Sequence, residues 1–117
     1  MASQEVQTTI SVSERFIMQI NVKGKHLEIT EAIDAYVRTK SEKFVRYFDK
    51  VQSINCVIEK EPNGFHVEFI VAVEHHEDFI VNQRNADLYA AIDLAVDRES
   101  RQLAEHKSRT RDHKHHQ

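Results

Sequence analysis

The sequence predicts a two-layer α/β sandwich, in which both helices cover one face of a four-stranded mixed sheet. Three observations support this fold class. Four short stretches alternate apolar and polar residues, two stretches repeat apolar residues with helical period, and the elements follow in the order β-α-β-β-β-α. The right-handedness of crossover connections makes the first two strands parallel and places both helices on the same sheet face.

Length and composition fit one soluble domain. The chain has 117 residues, of which 40% are hydrophobic and 30% are charged, which suits a single core and differs from a disordered chain. No apolar run is long enough to span a membrane, and the first residues lack the pattern of a secretory signal. The single cysteine excludes an internal disulfide and fits a reducing compartment, so we expect a cytoplasmic protein.

The two ends of the chain lack the patterning of its middle. Residues 1–16 are polar and rich in Ser and Thr without a sustained period, so we expect a flexible N-terminal extension. Patterned sequence runs from residue 17 to about residue 111, and we interpret 17–111 as a single domain. We expect residues 112–117 to form a flexible C-terminal tail.

The domain begins with a strand and a helix. Residues 18–22 alternate apolar and polar side chains, as a half-buried strand does, and Gly24 ends this pattern. Thr30 is a suitable N-cap, and an acidic residue behind it suits the positive end of a helix dipole. We therefore predict a helix from Glu31 to about Phe48, along which apolar residues recur with helical spacing.

The middle of the chain has the period of strands. Residues 54–58 and 65–73 alternate in side-chain character, and residues 79–84 form a shorter stretch of the same kind. Pro62-Asn63-Gly64 is a turn by composition, because proline presets φ while asparagine and glycine tolerate positive φ. A polar stretch at residues 74–78 marks a second turn.

The last third of the chain, residues 85–111, is predicted to be one helix with two different halves. Asn85 or Asp87 can cap its start. Its first half carries one apolar stripe at helical spacing, formed by Leu88, Ala91, Ile92, Ala95 and Val96. From Arg98 onward the stripe thins to Leu103, and basic residues accumulate. The first half therefore predicts core packing, and the second half predicts positive charge directed outward.

The formal net charge of −3 hides a separation along the chain. Residues 51–83 hold one Lys and six acidic residues, whereas residues 98–117 hold six Lys or Arg and three acidic residues. Residues 23–50 hold seven Lys or Arg and five acidic residues. An acidic average therefore does not exclude a polyanion as partner, provided that the basic segments share one face.

Particular residues within these elements resemble one known family. They are Gly24 followed by residues 27–33, Lys40 with Lys43, residues 47–49, the run Asp-Leu-Tyr-Ala-Ala-Ile-Asp at 87–93, Arg98, residues 101–103 and Lys107. Together with the element order, they resemble the ribosome hibernation promoting factors and the related ribosome-associated inhibitors. The likeness covers Met18 to about Lys114, and the run at 87–93 with Arg-Gln-Leu downstream is a specific part of it.

The resemblance implies a non-enzymatic factor, without a cofactor, that binds the small ribosomal subunit through ribosomal RNA and neighbouring ribosomal proteins. Members of the family lie between the head and body of the subunit, where mRNA and tRNA would otherwise lie, and silence translation in stationary phase or stress. The resemblance implies neither a membrane nor a small-molecule substrate. The long-form relatives have a second domain and the inhibitor branch has an acidic tail, so the short form is the branch that this chain resembles.

The resemblance also implies the site residues, since basic side chains attract RNA phosphates and arginine adds planar bidentate contacts. The family's basic residues match positions on both helices, and we add two lysines at the first turn and the arginine before the last helix. The predicted RNA-binding set is Lys23, Lys25, Lys40, Lys43, Arg84, Arg98, Arg101, Lys107, Arg109 and Arg111.

Three positions depart from the family's pattern. Asp34 stands where a basic residue is frequent, Glu99-Ser100 replaces a commonly apolar pair, and Glu105 stands where lysine is usual. We expect these departures to weaken the affinity for RNA without abolishing the basic track.

Other interpretations of the same residues lead to different functions. The acidic strand and loop region at 59–78 would suit a module that binds a partner protein, which is the alternative function. Histidines at 75–76 and 113–116 lack the spacing of a closed zinc site, so we predict no metal. No nucleophile or oriented base accompanies the carboxylates, so we predict no catalytic residue and no enzyme. We expect Cys56 to be a core residue, and Tyr89 to pack in the core rather than on a base.

Overall fold

The computed structural model describes residues 19–48 and 50–115, without the side chains of Tyr47 and residues 111–115. The predicted extension, residues 1–16, lies outside the described residues, as do the last two residues of the predicted tail. Across the described ranges, no helix is both long enough and apolar enough to cross a membrane.

Four strands and two helices form the domain in the predicted order. They are β1 (Ile20–Lys25), α1 (Glu31–Tyr47), β2 (Val51–Glu61), β3 (Gly64–Val73), β4 (Phe79–Asn85) and α2 (Leu88–His115). The sheet order is β1-β2-β3-β4. β1 pairs with β2 in parallel, with Ile20 opposite Ile54, and the two other pairs are antiparallel. The predicted mixed four-stranded sheet and β-α-β-β-β-α order are confirmed.

Capping side chains set the start of both helices. The Thr30 hydroxyl accepts a hydrogen bond of 3.2 Å from the Ile33 amide, as expected for the N-cap of α1. The Asp87 carboxylate accepts one of 3.2 Å from the Ala90 amide, so Asp87 caps α2. Asn85, the other candidate, instead accepts a hydrogen bond of 2.8 Å from the Asp87 amide and so positions the capping residue. Both side chains that the sequence offered as caps therefore contribute to the turn.

The core lies between the helix layer and one face of the sheet. Its buried side chains are Ile33, Val37, Phe44, Phe48, Val51, Ile54, Cys56, Ile58, Val67, Phe69, Val71, Val73, Val81, Leu88, Ala91, Ile92, Ala95, Val96 and Leu103. Phe44 of α1 meets Phe69 of β3 edge to face, with 5.4 Å between ring centroids. Burial raises the pKa of the Cys56 thiol to about 12, so this cysteine is a core residue as predicted.

α2 extends well beyond the part that packs on the sheet. Its 28 residues span about 42 Å at 1.5 Å per residue. Leu103 is the last buried apolar residue of the helix. From Ala104 to Thr110 only His106 is partly shielded. The helix continues to His115, through positions that the sequence assigned to a tail. α2 thus has a packed part and an outward part as predicted, but the packed part continues past Arg98 to Leu103, since Glu99 and Ser100 are also buried.

Tyr89 corrects one expectation. The side chain is 38% exposed and contacts Tyr36 of α1 edge to face, with 4.8 Å between ring centroids. Tyr89 follows the buried Leu88 by one residue, which rotates it about 100° around the helix axis. It therefore lies at the edge of the helix pair, and core packing was the wrong prediction.

Candidate nucleic-acid interface

The two helices run in the same direction and enclose a shallow groove on the outer side of the helix layer. Successive contacts advance along both helices together. Lys40 of α1 meets Asp93 of α2, and one turn later Lys43 meets Asp97, each pair with 3.5 Å between nitrogen and oxygen. We call this feature the interhelical groove, and its sides are formed by Tyr36, Lys40, Lys43, Tyr89, Asp93, Asp97, Ser100, Arg101 and Ala104.

The N-terminal end of the interhelical groove is held by a tyrosine and a carboxylate. The Tyr36 hydroxyl donates a hydrogen bond of 2.7 Å to Asp93, and the Lys40 ammonium lies 5.4 Å from the centroid of the Tyr36 ring. The hydrogen bond to Asp93, followed by burial and by the negative charge of Asp93, raises the pKa of Tyr36 to about 12. One carboxylate of α2 thus orders two side chains of α1.

Further along, the groove opens into a cavity of about 290 Å³. This wide end is lined by Lys43, Asp97, Ser100, Arg101 and Ala104. Lys43 and Asp97 are partly exposed, with 36% and 63% of their side-chain surfaces accessible. Arg101 is exposed and has no ion pair with any residue in the described part of the chain. This end of the groove is therefore rich in positive charge, and a single carboxylate opposes it.

Basic residues of the second half of α2 follow two different sides of the helix. Arg101 and Lys107 each lie three residues from Ala104 and so continue the groove side. Arg98 and Arg109 lie on the β4 side, where Arg98 donates a hydrogen bond of 3.4 Å to Gln83. The predicted Arg111 is a position of the same helix, and its side chain lies outside the described residues.

The remaining predicted cations lie on the opposite face of the sheet, which carries no helix. Lys23 and Lys25 alternate with Val22, which packs against the core, so they extend from this open face. Arg84 of β4 lies on the same face and pairs with Glu61 of β2 at 3.1 Å. The hydrogen bond and the negative charge of Glu61 raise the pKa of Arg84.

The structure thus divides the ten predicted residues into three groups. The groove side of the helix layer has Lys40, Lys43, Arg101 and Lys107, with Arg111 further along α2; the β4 side of α2 has Arg98 and Arg109; and the open sheet face has Lys23, Lys25 and Arg84. The first two groups belong to the helix layer, and the third lies on the opposite face of the sheet. Sequence spacing missed this division because Lys23 and Lys25 lie close to α1 in the chain while the strand turns their side chains away.

A possible ligand set for a metal also lies on the open sheet face. Ligand atoms of Glu59, Glu61 and His66 are all within 4.8 Å of one another. Two of the three already have protein partners, since Glu61 holds Arg84 and the His66 imidazole contacts the Asn82 amide oxygen at 2.8 Å. These contacts satisfy the cluster with protein groups. This cluster is not one of the histidine groups at 75–76 and 113–116 that we considered as metal ligands from the sequence.

Comparison with known proteins decides the family. A model of the Sigma 54 modulation protein / S30EA ribosomal protein family matches residues 20–111. The chain belongs to this family. The ribosome hibernation promoting factor of Azotobacter vinelandii is 35% identical over 92 residues, covering 79% of this chain and 85% of that protein. The ribosome hibernation promoting factor of Escherichia coli K12 is 33% identical over 96 residues, covering 82% of this chain and 100% of that protein.

Solved structures agree with this assignment. The N-terminal domain of Protein Y from Thermus thermophilus is similar with a TM-score of 0.67 and 35% identity, over 73% of this chain and 93% of that one. A ribosomal subunit interface protein from Coxiella burnetii gives a TM-score of 0.71 over 77% of this chain and 98% of that one. Its identity is 18%, so it supports the fold alone.

On the sheet-facing side of α2, this S30EA-family chain has a cluster of aromatic rings that joins three elements. His76, in the turn before β4, stacks on Phe79 at 4.5 Å between ring centroids. His106 of α2 meets His76 at 4.5 Å, Phe79 at 5.2 Å and Phe48 at 5.3 Å. Burial, His76 and Arg109 lower the pKa of His106, in that order of size. The cluster holds the basic half of α2 at His106, a role for histidines that their sequence spacing did not indicate.

Glu99-Ser100, the pair that departs from the family's pattern, is buried. Glu99 is fully buried, and neither of its carboxylate oxygens has a hydrogen-bond partner among the described residues. Burial raises its pKa to about 8, so the carboxyl is largely protonated at neutral pH. Ser100 is 7% exposed, and its hydroxyl also lacks a partner within the described ranges. From the sequence we expected this pair to weaken the affinity for RNA. In the structure Glu99 is buried in the core, and Ser100 is buried beside the interhelical groove.

Proposed function

We propose that this chain is a ribosome hibernation factor, which binds the small ribosomal subunit through its RNA and reversibly inhibits translation in stationary phase or stress. Membership of the S30EA ribosomal protein family supports it, as do relatives that carry the name ribosome hibernation promoting factor. The structural observation that carries it is the gathering of exposed cations along the groove side of the helix layer, continued by the outward half of α2.

Electrostatics gives this surface its affinity for ribosomal RNA. Each phosphate neutralised by Lys or Arg releases counterions, which supplies binding energy without reading a base sequence. Two groove lysines are already paired with Asp93 and Asp97 at 3.5 Å. Long, half-exposed ion pairs of this kind are worth little, so a phosphate of higher charge density can replace the carboxylates. Arg101 and Lys107 are available without any such exchange.

Occupation of space accounts for the inhibition. A folded domain bound near the decoding region, in the channel for mRNA and tRNA, blocks translation for as long as it stays there. In this role the protein is not an enzyme, needs neither a cofactor nor a small-molecule substrate, and contacts ribosomal RNA and neighbouring ribosomal proteins in the cytoplasm. Residues 17–111 would be the ribosome-binding domain.

Co-sedimentation with purified small ribosomal subunits tests the proposal. We expect the protein to pellet with the subunits at one copy each at low salt, and to dissociate progressively as salt is raised. In a purified translation system, the same concentrations should reduce peptide synthesis, and dilution should restore it. Failure to pellet at low salt would refute the proposal.

Two double charge reversals, which change the net charge equally, test the surface. Arg101→Glu with Lys107→Glu alters the groove side, and Lys23→Glu with Lys25→Glu alters the open sheet face. We expect the first variant to lose subunit binding and the second to weaken it far less. Each lost phosphate contact should also lower the slope of log affinity against log salt by about 0.7 to 0.9. Loss of binding only in the second variant would transfer the interface to the open sheet face.

The alternative function, a module that binds a partner protein through residues 59–78, has weaker support. Part of the acidic charge in this region is compensated within the fold. Glu61 pairs with Arg84 at 3.1 Å and Glu74 pairs with Lys50 at 3.7 Å. Binding that persists after RNase treatment of the partner fraction and changes little with salt would favour this alternative.

A further inference from the structure

We propose that the wide end of the interhelical groove is a phosphate-binding subsite, in which Lys43, Ser100 and Arg101 hold one phosphate group and Asp97 competes with it. The proposal rests on the proposed function, since it names one contact by which the helix layer would bind RNA. The recognised chemistry is a phosphate with at least one negative charge, which either an RNA backbone or free inorganic phosphate can provide.

Ser100 is the feature that a solvated helix face does not explain. The residue lines the groove and is only 7% exposed. Its hydroxyl has no hydrogen-bond partner among the described residues, including the carbonyl one turn back that serine in a helix often uses. In the proposed site, rotation about the Cα–Cβ bond to another staggered position turns this hydroxyl toward the groove that Ser100 lines. A phosphate oxygen there supplies the acceptor that the free protein lacks.

The two cations of the groove come from different helices and are positioned for the same anion. Lys43 of α1 and Arg101 of α2 line the space beside Ser100. The arginine offers a planar fork of N–H donors and the lysine a mobile point charge, while the serine adds a neutral donor of short reach. This set of donors suits a tetrahedral oxyanion, which accepts several hydrogen bonds from different directions.

Asp97 is an internal competitor for the site. Its carboxylate lies 3.5 Å from the Lys43 ammonium, and 63% of its side-chain surface is exposed. No second ion pair holds Asp97 within the described ranges. It can therefore turn toward solvent when phosphate arrives. The competition reduces binding of weak anions while it permits binding where several phosphates are presented together, as along an RNA backbone.

Titration of the ¹⁵N-labelled full-length protein with inorganic phosphate, followed by NMR, tests the subsite without the ribosome. Chloride at matched ionic strength serves as the reference. We expect saturable shifts of the Ser100 and Arg101 amides. Ser100→Ala should weaken the affinity by about tenfold or more, because a hydrogen bond to a charged group is lost. Asp97→Asn should strengthen it by about fivefold, because a nearby negative charge is removed.

Each variant has a matched control on the same helix. Ser108→Ala removes an exposed hydroxyl about one turn beyond Ala104, past the residues that line the wide end. Glu105→Gln removes an exposed negative charge that does not line it. Ser100→Ala is expected to fold normally, since it deletes a buried hydroxyl that has no partner. A simple effect of net charge would strengthen phosphate binding equally in Asp97→Asn and Glu105→Gln, and that result would overturn the assigned role of Asp97.

The same variants are then compared for binding to small ribosomal subunits, which separates the two proposals and the two sources of phosphate. Weaker binding by Ser100→Ala and tighter binding by Asp97→Asn, relative to their controls, would establish RNA as the source. If the protein binds phosphate saturably but does not bind subunits, the subsite stands and its ligand is free phosphate. That result would refute the proposed function. Subunit binding that is unchanged in both variants, with no phosphate shifts in the groove, would overturn the subsite and leave the proposed function standing.

Discussion

Tyr36 and Asp93 join the two helices through a hydrogen bond of 2.7 Å, in which the phenol donates to the carboxylate. The same carboxylate oxygen also lies 3.5 Å from the Lys40 ammonium. One turn later Asp97 repeats the arrangement with Lys43. Carboxylates spaced four residues apart on α2 therefore determine how the polar side chains of α1 are presented along the interhelical groove.

Replacing Asp93 should change the acidity of Tyr36. We expect Asp93→Asn to lower the pKa of the Tyr36 phenol from about 12 toward its ordinary value near 10, because the charged acceptor is lost. Titration of ¹³C-labelled tyrosine rings by NMR measures this directly. Asp97→Asn removes a similar charge one turn away and serves as the control. A Tyr36 pKa that stays the same in Asp93→Asn would contradict the assigned cause.

Glu99 should make the stability of the fold depend on pH. Its pKa is about 8 when folded, against an ordinary value of 4.5. Between these values the unfolded chain has lost the proton while the folded chain keeps it, so the free energy of unfolding falls as pH rises. Below pH 4.5 both states are protonated, and above about pH 8 the penalty is complete.

Glu99→Leu should therefore stabilise the protein, by several kcal/mol at pH 8 and much less at pH 4.5. Urea unfolding at a series of pH values measures the difference. Glu105→Leu, at an exposed position of the same helix, controls for the change in helix propensity and hydrophobicity. An equal gain at pH 5 and pH 8 would show that packing, and not the protonation of Glu99, is responsible.

Sequence patterns were sufficient for the fold because each element carries its own local signal. Thr30 and Asp87 are capping residues that indicate where the helices start. The apolar stripe from Leu88 to Val96 predicts which face of α2 is buried. The parallel pairing of Ile20 with Ile54 follows from the handedness of the crossover. All of these signals are contained within one element or one connection.

The candidate site was predicted less completely, because it depends on which elements face each other. A count of basic residues along the chain includes Lys23 and Arg84, yet both side chains lie on the sheet face opposite the helices. The pairing of Lys43 with Asp97 joins positions 54 residues apart, and no local pattern indicates it. The burial of Ser100 beside the groove could not be predicted from sequence either, because it arises only when α1 and α2 pack together.

The turn between β2 and β3 offers a test of backbone conformation. Gly64 has a φ of 151°, and a Cβ at this position would lie 2.5 Å from the carbonyl oxygen of Asn85. Gly64→Ala should therefore lower the free energy of unfolding by about 1–3 kcal/mol. The midpoint of urea unfolding measures the loss, and the slope of the transition should stay constant. Asn63→Ala, at the exposed neighbouring position, should cost much less; similar losses would place the strain in the turn as a whole.

His106 should lower stability in acid. Its folded pKa lies below the ordinary 6.5, because burial, His76 and Arg109 all disfavour its protonation. As pH falls through about 6.5 the unfolded chain binds the proton first, so the free energy of unfolding decreases until the folded pKa is passed.

The effect of His106 on the pH dependence of unfolding should be measured in a Glu99→Gln background, because Glu99 has the opposite dependence across part of this range. There, His106→Phe should retain the aromatic contacts and remove the acid loss between pH 7 and pH 5. Arg109→Gln should raise the His106 pKa in NMR titrations, and an unchanged value would exclude Arg109 as a cause.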